Sequence, residues 1–376
     1  MKIGKYAFFG VFVAAALVAV GLWTPVGSQQ PGGVPGGRVA PRFVVDPFWP
    51  KPLPNNWLLG QVAGIAVDAE DHIWIIQRPA SLTEDEAGAA QDPPRSNCCV
   101  PAPPVIEFDS EGNVLRAWGG PNAGYDWPEN EHGIFVDYKG NVWIAGNGDN
   151  DHQVLKFSQD GEFLLQIGQA GMTGGSNDTE LLGNPADTEV DPETNEVYVA
   201  DGYLNKRVIV FDADTGEYKR HWGAFGEPPS DDPNAPEGSQ FGNPVHCVRI
   251  TDDGLVYVCD RANNRVQVFE KDGTFVKEFE IEPDTLGNGS TWDVDVSSDH
   301  RQRFLYNADG ENNYVWILKR ANDQILTTFG RNGRYAGQFH WVHNLVVDSR
   351  GNIYTAEVDT GKRVQKFRIR GFRPVP

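Results

Sequence analysis

The sequence has little positive charge and very little methionine. Only 32 of its 376 residues are Lys or Arg, against 52 Asp or Glu, so the formal net charge is −20. Such a charge repels a phosphate backbone and argues against nucleic acid as a partner; it also favours solubility. Two Met stand against eleven Trp, a composition that favours a sheet-rich core over a helical one.

Long apolar runs are also lacking, apart from one near the start. Lys2 and Lys5 introduce an apolar run over residues 6–23, and the turn-prone residues 24–28 follow. This order is typical of an export signal, so we expect residues 1–28 to be a signal peptide of a periplasmic or secreted protein. The alternative is an uncleaved anchor, because the run nears the length that spans a bilayer. The segment would then be the only membrane contact.

Residues 29–40 (QQPGGVPGGRVA) are rich in Gly and Pro, and we expect them to be a flexible linker. The folded part is then predicted over residues 41–376. The 26 Pro and 42 Gly of the whole chain suit a domain with many tight turns.

Cysteine is scarce, and the four that are present fit an oxidising compartment. Cys247 and Cys259 flank a predicted hairpin whose turn is residues 251–254. If Ile250 pairs with Val256, Cys247 lies directly opposite Cys259, and their Cβ atoms come within disulfide distance. We therefore predict a disulfide across this hairpin.

The other two cysteines, Cys98 and Cys99, are adjacent in a Pro-rich insert of residues 81–102. Two free thiols, a strained disulfide ring and a soft-metal site are all compatible with this pair.

One pattern recurs six times: a β-rich run, an Asp or its equivalent, a turn, and a second alternating apolar run. The copies are residues 64–76, 133–145, 187–200, 247–259, 293–307 and 344–356. Alternation marks strands, and Asp, Gly and Asn between the runs mark hairpins. A second hairpin follows most copies, so each unit supplies four strands. The pattern predicts an all-β, six-bladed β-propeller with four-stranded antiparallel blades.

The last copy supplies only a third strand, over residues 364–368. A propeller that does not close leaves an exposed strand edge. We therefore predict that residues 42–45 form the missing outer strand of the last blade. The result is one closed domain, which we expect to be a monomer.

Three of the eight histidines occupy the same position in the repeat. His132, His246 and His343 each lie five residues before the Asp-equivalent position, in the second, fourth and sixth copies. In a propeller this position is at one mouth of the central channel, so the three side chains should meet on the axis. Three imidazoles with an open fourth position are typical of a catalytic zinc site.

Other residues should share this mouth. Arg78 ends the second strand of the first blade, whereas Tyr203 and Arg261 follow the equivalent strands of the third and fourth blades. A tyrosine beside a metal can act as a general base. Paired arginines suit a carboxylate-bearing substrate, either a small molecule or a peptide. The alternative is a capping or blade-bracing role, which we expect for Arg207 and Arg265.

These motifs together resemble the peptidyl-α-hydroxyglycine α-amidating lyase family, whose fold is a six-bladed propeller related to NHL repeats. The resemblance covers most of residues 57–368. The matching stretches are GQVAGIAVD (60–68), HGIFVD (132–137), NPADTEVDPETNEVYVADGYLNKRVIVF (184–211), NPVHCVRI (243–250), CDRANNRVQVF (259–269) and VHNLVVD (342–348).

The resemblance implies a reaction. The three histidines would bind zinc, which would act as a Lewis acid on a substrate hydroxyl group. Tyr203 would remove the hydroxyl proton, and Arg78 and Arg261 would hold the substrate carboxylate. Cleavage of the carbon–nitrogen bond of an N-(α-hydroxy)acyl compound would give an amide and glyoxylate.

The resemblance also implies a structural calcium ion, bound by the backbone oxygens of Val62 and Ile134 and by an acidic side chain after the last histidine. That acidic position is Asn344 in this sequence. We therefore expect calcium binding to be weaker or absent. Trp341 takes a pocket position where the family has methionine, which predicts a reshaped substrate pocket.

Two other function classes remain open for this sequence. One is a metal-dependent hydrolase, such as a lactonase, although such propellers generally use carboxylate and Asn ligands rather than three histidines. The other is a non-catalytic NHL-type binding propeller.

Overall fold

The computed structural model describes residues 38–375. The predicted signal of residues 1–28 and most of the predicted linker lie outside this range. Strand β1 (Val39–Asp46) begins before the predicted domain boundary, so residues 39–40 belong to the sheet rather than to a linker. Within the described range, no helix is long and apolar enough to span a bilayer.

The described chain forms six four-stranded antiparallel blades in a ring, which confirms the predicted propeller. From the channel outward, the first blade consists of β3 (Gln61–Val67), β4 (Ile73–Arg78), β6 (Val105–Phe108) and β7 (Val114–Trp118). The second blade consists of β8 (Glu131–Val136), β9 (Val142–Gly146), β10 (Gln153–Phe157) and β11 (Phe163–Gly168). The third blade consists of β12 (Pro185–Asp191), β13 (Glu196–Asp201), β14 (Arg207–Asp212) and β15 (Tyr218–Trp222). The fourth blade consists of β16 (Val245–Ile250), β17 (Leu255–Asp260), β18 (Arg265–Glu270) and β19 (Phe275–Glu280). The fifth blade consists of β20 (Asp293–Val296), β21 (Phe304–Asp309), β22 (Tyr314–Lys319) and β23 (Gln324–Phe329).

The sixth blade closes the ring as predicted. It consists of β24 (Val342–Val347), β25 (Ile353–Glu357), β26 (Arg363–Pro374) and, as its outer strand, β1. Strand β26 extends well beyond the predicted residues 364–368, and β1 pairs with it over its whole length. The first and last segments of the domain therefore share one sheet, which leaves no open blade between them.

A few short elements lie outside the blades. The insert is tied to the preceding segment by a parallel pair of short strands, β2 (Trp57–Leu58) and β5 (Val100–Pro101). Four short 3₁₀ helices complete the described elements: Pro79–Ser81, Gly88–Ala90, Ala224–Gly226 and Arg261–Asn263.

The repeated Asp has a structural role in the hairpin that it begins. One carboxylate oxygen of Asp137 accepts the backbone N–H of Asn141 at 2.8 Å, and the other accepts Trp143 Nε1–H at 3.0 Å. Asp68 and Asp348 make the equivalent turn and side-chain contacts in the first and sixth blades. The carboxylate thus accepts hydrogen bonds from the turn backbone and orients the aromatic ring of the next strand.

One aromatic ring from the second strand of every blade is fully buried. These six residues are Trp74, Trp143, Tyr198, Tyr257, Tyr306 and Tyr354. Each large ring removes about 150–250 Å² from water, so the six supply much of the packing that holds the blades side by side.

The cysteines form two disulfides. Strands β16 and β17 have the predicted register, with Ile250 opposite Val256 and Cys247 opposite Cys259, and the latter pair is bonded. Cys98 and Cys99 are also joined, so the structure selects the ring among the alternatives for the insert.

Candidate metal centre

The three histidines meet at the channel axis. The ring centroids of His132, His246 and His343 lie 4.7–5.0 Å apart, and their candidate ligand nitrogens lie within 4.8 Å of one another. At most 3% of each residue is exposed. In each of these three blades the register of the inner strand shifts at the histidine. Such irregularities re-aim a side chain, here toward the axis.

Each histidine directs its Nδ1 atom at an oxygen acceptor. His132 Nδ1 lies 2.7 Å from the carbonyl oxygen of Ala186, and His246 Nδ1 contacts the carbonyl oxygen of Trp292. Because a carbonyl oxygen only accepts, Nδ1 carries the proton in both rings. His343 Nδ1 contacts the side-chain oxygen of Asn344 in the same way. The Nε2 atoms are therefore unprotonated, as metal binding requires.

Two of the three acceptors follow the repeat. Ala186 and Trp292 lie five residues before the Asp-equivalent positions of the third and fifth blades. His132 and His246 are thus each tied to the next blade in the ring, whereas the acceptor of His343 is Asn344 in its own blade. Ala186 and Trp292 were not among the predicted site residues, although the same five-residue offset applied to the odd-numbered blades would have found them.

The histidine nitrogens fit a bound metal. His246 Nε2 is buried and has no hydrogen-bond partner among the described residues. An unpaired buried acceptor is costly, and metal ligation would satisfy it. Burial lowers the pKa of all three rings, to about 3 for His343, with a further contribution from the positive charge of Arg261. The imidazoles are therefore neutral at neutral pH, so that no proton competes with a metal.

Tyr203 lies against this cluster. Its hydroxyl group is 2.9 Å from His132 Nε2 and 3.1 Å from Arg261 Nη1. The loop that presents it packs closely on the fourth blade, since a Cβ on Gly202 would lie 1.9 Å from the carbonyl oxygen of Val245. The phenol thus connects a candidate ligand to a candidate anion-binding arginine.

Arg78 is fixed by neutral partners. Its Nε donates to the carbonyl oxygen of Glu131 at 2.7 Å, and its terminal nitrogens donate to Gln61 at 2.8 Å and Asn147 at 3.2 Å. Over residues 38–375, no carboxylate lies within ion-pair distance of this guanidinium. Its charge is therefore available to a substrate anion. Burial lowers the pKa of Arg78, and the nearby acidic groups offset only part of this effect.

Arg261 has a similar environment. Its guanidinium stacks on the ring of Trp292 at 4.5 Å, and its buried Nε has no partner in the described part of the chain. Arg207 and Arg265 differ, because they pair with Asp201 at 2.9 Å and with Asp260 at 2.7 Å. These two have the bracing role that the sequence predicted, whereas Arg78 and Arg261 face the cavity.

The cavity above the histidines has a volume of about 220 Å³. Its polar lining includes Arg78, Arg261 and Tyr203, and also Asp359, which pairs with His340 at 2.8 Å. Trp292 and Trp341 form an aromatic side, with their rings edge to face at 5.4 Å. Trp341 is held in a left-handed backbone conformation (φ 52°) by hydrogen bonds of its backbone. The cavity suits a ligand that has a carboxylate at one end and an apolar group at the other. Gln61, Asn147 and Trp292 were not among the predicted site residues.

The calcium ligands implied by the resemblance are brought together only in part, in a cavity that Asp187 and Asp293 also line. Ile134 and Asn344 line a second cavity of about 30 Å³ below the histidines, whereas Val62 does not. The Asn344 oxygen is engaged by His343, and its Nδ2 donates to Asp293 at 3.3 Å. The guanidinium of Arg249 lines the same cavity, so a cation is already present.

Comparison with known proteins gives several relatives. The NHL repeat family model matches residues 245–269. NHL repeat-containing protein 3 of Mus musculus is 30% identical over 347 residues, covering 87% of this chain and 84% of the relative. Peptidyl-alpha-hydroxyglycine alpha-amidating lyase 1 of Drosophila melanogaster is 27% identical over 355 residues, covering 86% of this chain and 59% of the relative.

A longer relative is peptidyl-glycine alpha-amidating monooxygenase B of Xenopus laevis, which is 28% identical over 323 residues. The match covers 83% of this chain but spans only about a third (34%) of that relative's length. Among solved structures, the streptogramin B lyase structure matches with a TM-score of 0.52 at 11% identity, covering 87% of this chain and 98% of that one. At this identity the structural likeness shows the fold alone.

Proposed function

This chain belongs to the NHL repeat-containing family, together with NHL repeat-containing protein 3 of the mouse, and we propose that it is a zinc-dependent carbon–nitrogen lyase. Its substrate would be an N-(α-hydroxy)acyl compound with a carboxylate, such as a peptidyl- or N-acyl-α-hydroxyglycine. The carrying observation is the contact of Tyr203 with both His132 and Arg261, beside three converged imidazoles. Similarity to a relative named as an amidating lyase supports the proposal.

The three neutral Nε2 atoms would hold the metal, since zinc prefers imidazole ligands and keeps one position open in catalytic sites. When bound, zinc supplies Lewis acidity that polarises the substrate hydroxyl group. The donor set contains no carboxylate, which argues against the lactonase-like alternative.

Tyr203 is the proposed base. The Arg261 guanidinium donates a hydrogen bond to the phenolic oxygen at 3.1 Å. The phenolate would accept the hydroxyl proton as the carbon–oxygen double bond forms. The carbon–nitrogen bond would break, and its electron pair would pass to nitrogen. Return of the proton to nitrogen completes the amide and leaves glyoxylate, so that no other reactant is needed.

Arg78 and Arg261 would bind the substrate carboxylate. Both guanidinium groups lack a carboxylate partner in the described structure, and both line the 220 Å³ cavity. A carboxylate held there would orient the α-carbon between Tyr203 and the histidines. The aromatic side formed by Trp292 and Trp341 would receive the acyl group. Arginine pairs recognise carboxylates with defined geometry, so this contact would fix the reacting bond.

We also propose that the protein acts outside the cytoplasm. The N-terminal segment has the order of an export signal. Two disulfides bind all four cysteines, which suits an oxidising compartment.

The proposal is tested by zinc analysis and glyoxylate release. The purified chain should contain one zinc per molecule and release glyoxylate and benzamide in equal amounts from N-benzoyl-α-hydroxyglycine. His246→Ala should lose both properties, because its Nε2 has no alternative partner. His300→Ala is the matched control, since His300 is exposed on a turn of the fifth blade.

The outcomes separate the function classes. Stoichiometric zinc without glyoxylate release would reject the lyase and favour another metal-dependent reaction, which lactone substrates would test. No retained metal, with equal behaviour of His246→Ala and His300→Ala, would favour a non-catalytic binding propeller.

A further inference from the structure

One guanidinium faces four carboxylates in the channel below the histidines. Arg249 lies on β16, the inner strand of the fourth blade. The acidic residues alternate on the inner strands of the two neighbouring blades: Asp187 and Glu189 on β12, and Asp293 and Asp295 on β20. Alternate residues of a strand face the same side, so both pairs point into the channel.

The carboxylates join neighbouring inner strands. Each accepts a backbone N–H from the inner strand of the following blade, at distances between 2.8 and 3.2 Å. The donors are Val248 to Asp187, Ile250 to Glu189, Leu345 to Asp293 and Val347 to Asp295. These bonds explain why acidic residues are tolerated in the channel, because inner-strand amides there have no further strand to pair with.

Arg249 connects both acidic pairs. Its Nη1 lies 3.5 Å from Glu189, its Nε lies 3.8 Å from Asp295, and its Nε also donates to the carbonyl oxygen of Val294 at 3.3 Å. One side chain therefore contacts two other blades. Only 16% of the Arg249 side chain is exposed, which strengthens these contacts relative to a surface ion pair.

The cluster carries less negative charge than its four carboxyl groups suggest. Burial raises the pKa of Asp187 to about 6 and that of Glu189 to about 8, so the four groups carry fewer than four negative charges at neutral pH. The remaining cavity has a volume of about 30 Å³.

We propose that the Arg249 guanidinium is the resident cation of this channel and that the propeller closes without the calcium ion implied by the resemblance. The ligand set for calcium is lost on the same side of the channel, since Asn344 is neutral and its oxygen accepts from His343. A positive charge in the same cavity would also repel a divalent ion. Arg249 thus links the third, fourth and fifth blades directly.

Calcium binding of the zinc-loaded, full-length chain tests the proposal first. Dialysed protein should contain no calcium by elemental analysis. Millimolar calcium chloride should shift the thermal unfolding midpoint no more than magnesium chloride does. One retained calcium per chain, or a rise in the midpoint specific to calcium, would overturn the proposal, and this measurement needs no variant to fold.

Replacement of Arg249 tests its structural role. Arg249→Met should lower the unfolding midpoint by about 4–7 °C, the range expected when a buried ion-pair network in a domain of this size loses one partner. Arg301→Met is the matched control, because Arg301 is exposed and its replacement removes the same charge. Equal midpoints for the two variants would overturn the proposal. Glyoxylate release is not used, so failure of the lyase proposal would leave these results unaffected.

Discussion

Replacement of Tyr203 by phenylalanine removes one oxygen atom from the centre of the candidate site. That oxygen is 2.9 Å from His132 Nε2 and 3.1 Å from Arg261 Nη1, while the ring itself stays in van der Waals contact with its neighbours. If Tyr203 is the base, Tyr203→Phe should abolish proton removal and leave the metal ligands in place.

The expected sizes of the two effects differ. Loss of a positioned general base lowers the rate by about 10²–10⁴, which corresponds to about 3–5 kcal/mol of transition-state stabilisation. The folded state loses much less. In the zinc-free chain His132 Nε2 would join His246 Nε2 as an unpaired nitrogen of the histidine cluster, at a cost of about 1–3 kcal/mol. A metal on Nε2 would satisfy that atom, so zinc should shrink the stability loss but not restore the rate.

The assay compares kcat/KM for glyoxylate release, zinc content and the thermal midpoint in one set of samples. Tyr138→Phe is the matched control: Tyr138 is 50% exposed, and its hydroxyl group donates to Asn195 away from the site. Retained zinc with a rate within about threefold of the unmodified chain would refute the assignment of Tyr203 as base. Loss of zinc would show instead that the phenol holds the metal centre together.

Three further predictions follow from other contacts. Arg261→Met should lower kcat/KM for N-benzoyl-α-hydroxyglycine by about tenfold or more, and much less for the corresponding amide, which has no carboxylate for the guanidinium to bind; equal losses would argue against carboxylate binding. In the zinc-free chain the folded pKa of His343 is about 3, below its unfolded value of about 6.5, so the unfolded state binds more protons between these values and stability falls as the pH falls. We therefore compare the unfolding free energy, measured in urea, at several pH values in this window. Its slope against pH should be smaller in His343→Gln than in the unmodified chain by up to one proton, or about 1.4 kcal/mol per pH unit. Replacing both Cys247 and Cys259 by Ser should cost about 2–4 kcal/mol of unfolding free energy, measured in urea against the oxidised chain; an unchanged midpoint would show that the bridge adds no stability.

The repeat made the fold predictable from sequence. The turn carboxylate, as in Asp137, fixes a hairpin through contacts within about six residues, so each copy can be recognised alone. Closure by β1 was predictable because a third strand without a partner requires one from elsewhere in the chain. The long extent of β26 was not, since its last residues pair only with the start of β1 and have no counterpart in the other copies.

The candidate site, like the fold, was predictable from the sequence only in part. The three histidines share one offset in the repeat, and their convergence follows from the ring. The contact between Tyr203 and His132 joins loops of different blades, and no local pattern fixes its distance. Arg249 was missed because its role depends on acidic residues that lie 60–62 positions before it and 44–46 positions after it. Its sequence neighbours give only the alternation of an ordinary strand.

The acceptors of the histidine ligands bear on both proposals. All three Nδ1 atoms face neutral oxygens, those of Ala186, Trp292 and Asn344. A carboxylate acceptor would make a ligand more basic and would add negative charge beside the metal. With neutral acceptors, a bound zinc ion would keep its full charge, and Arg78 and Arg261 would add to it. Asparagine at position 344 therefore adds no negative charge beside the histidines, an arrangement that favours binding of a carboxylate substrate by Arg78 and Arg261.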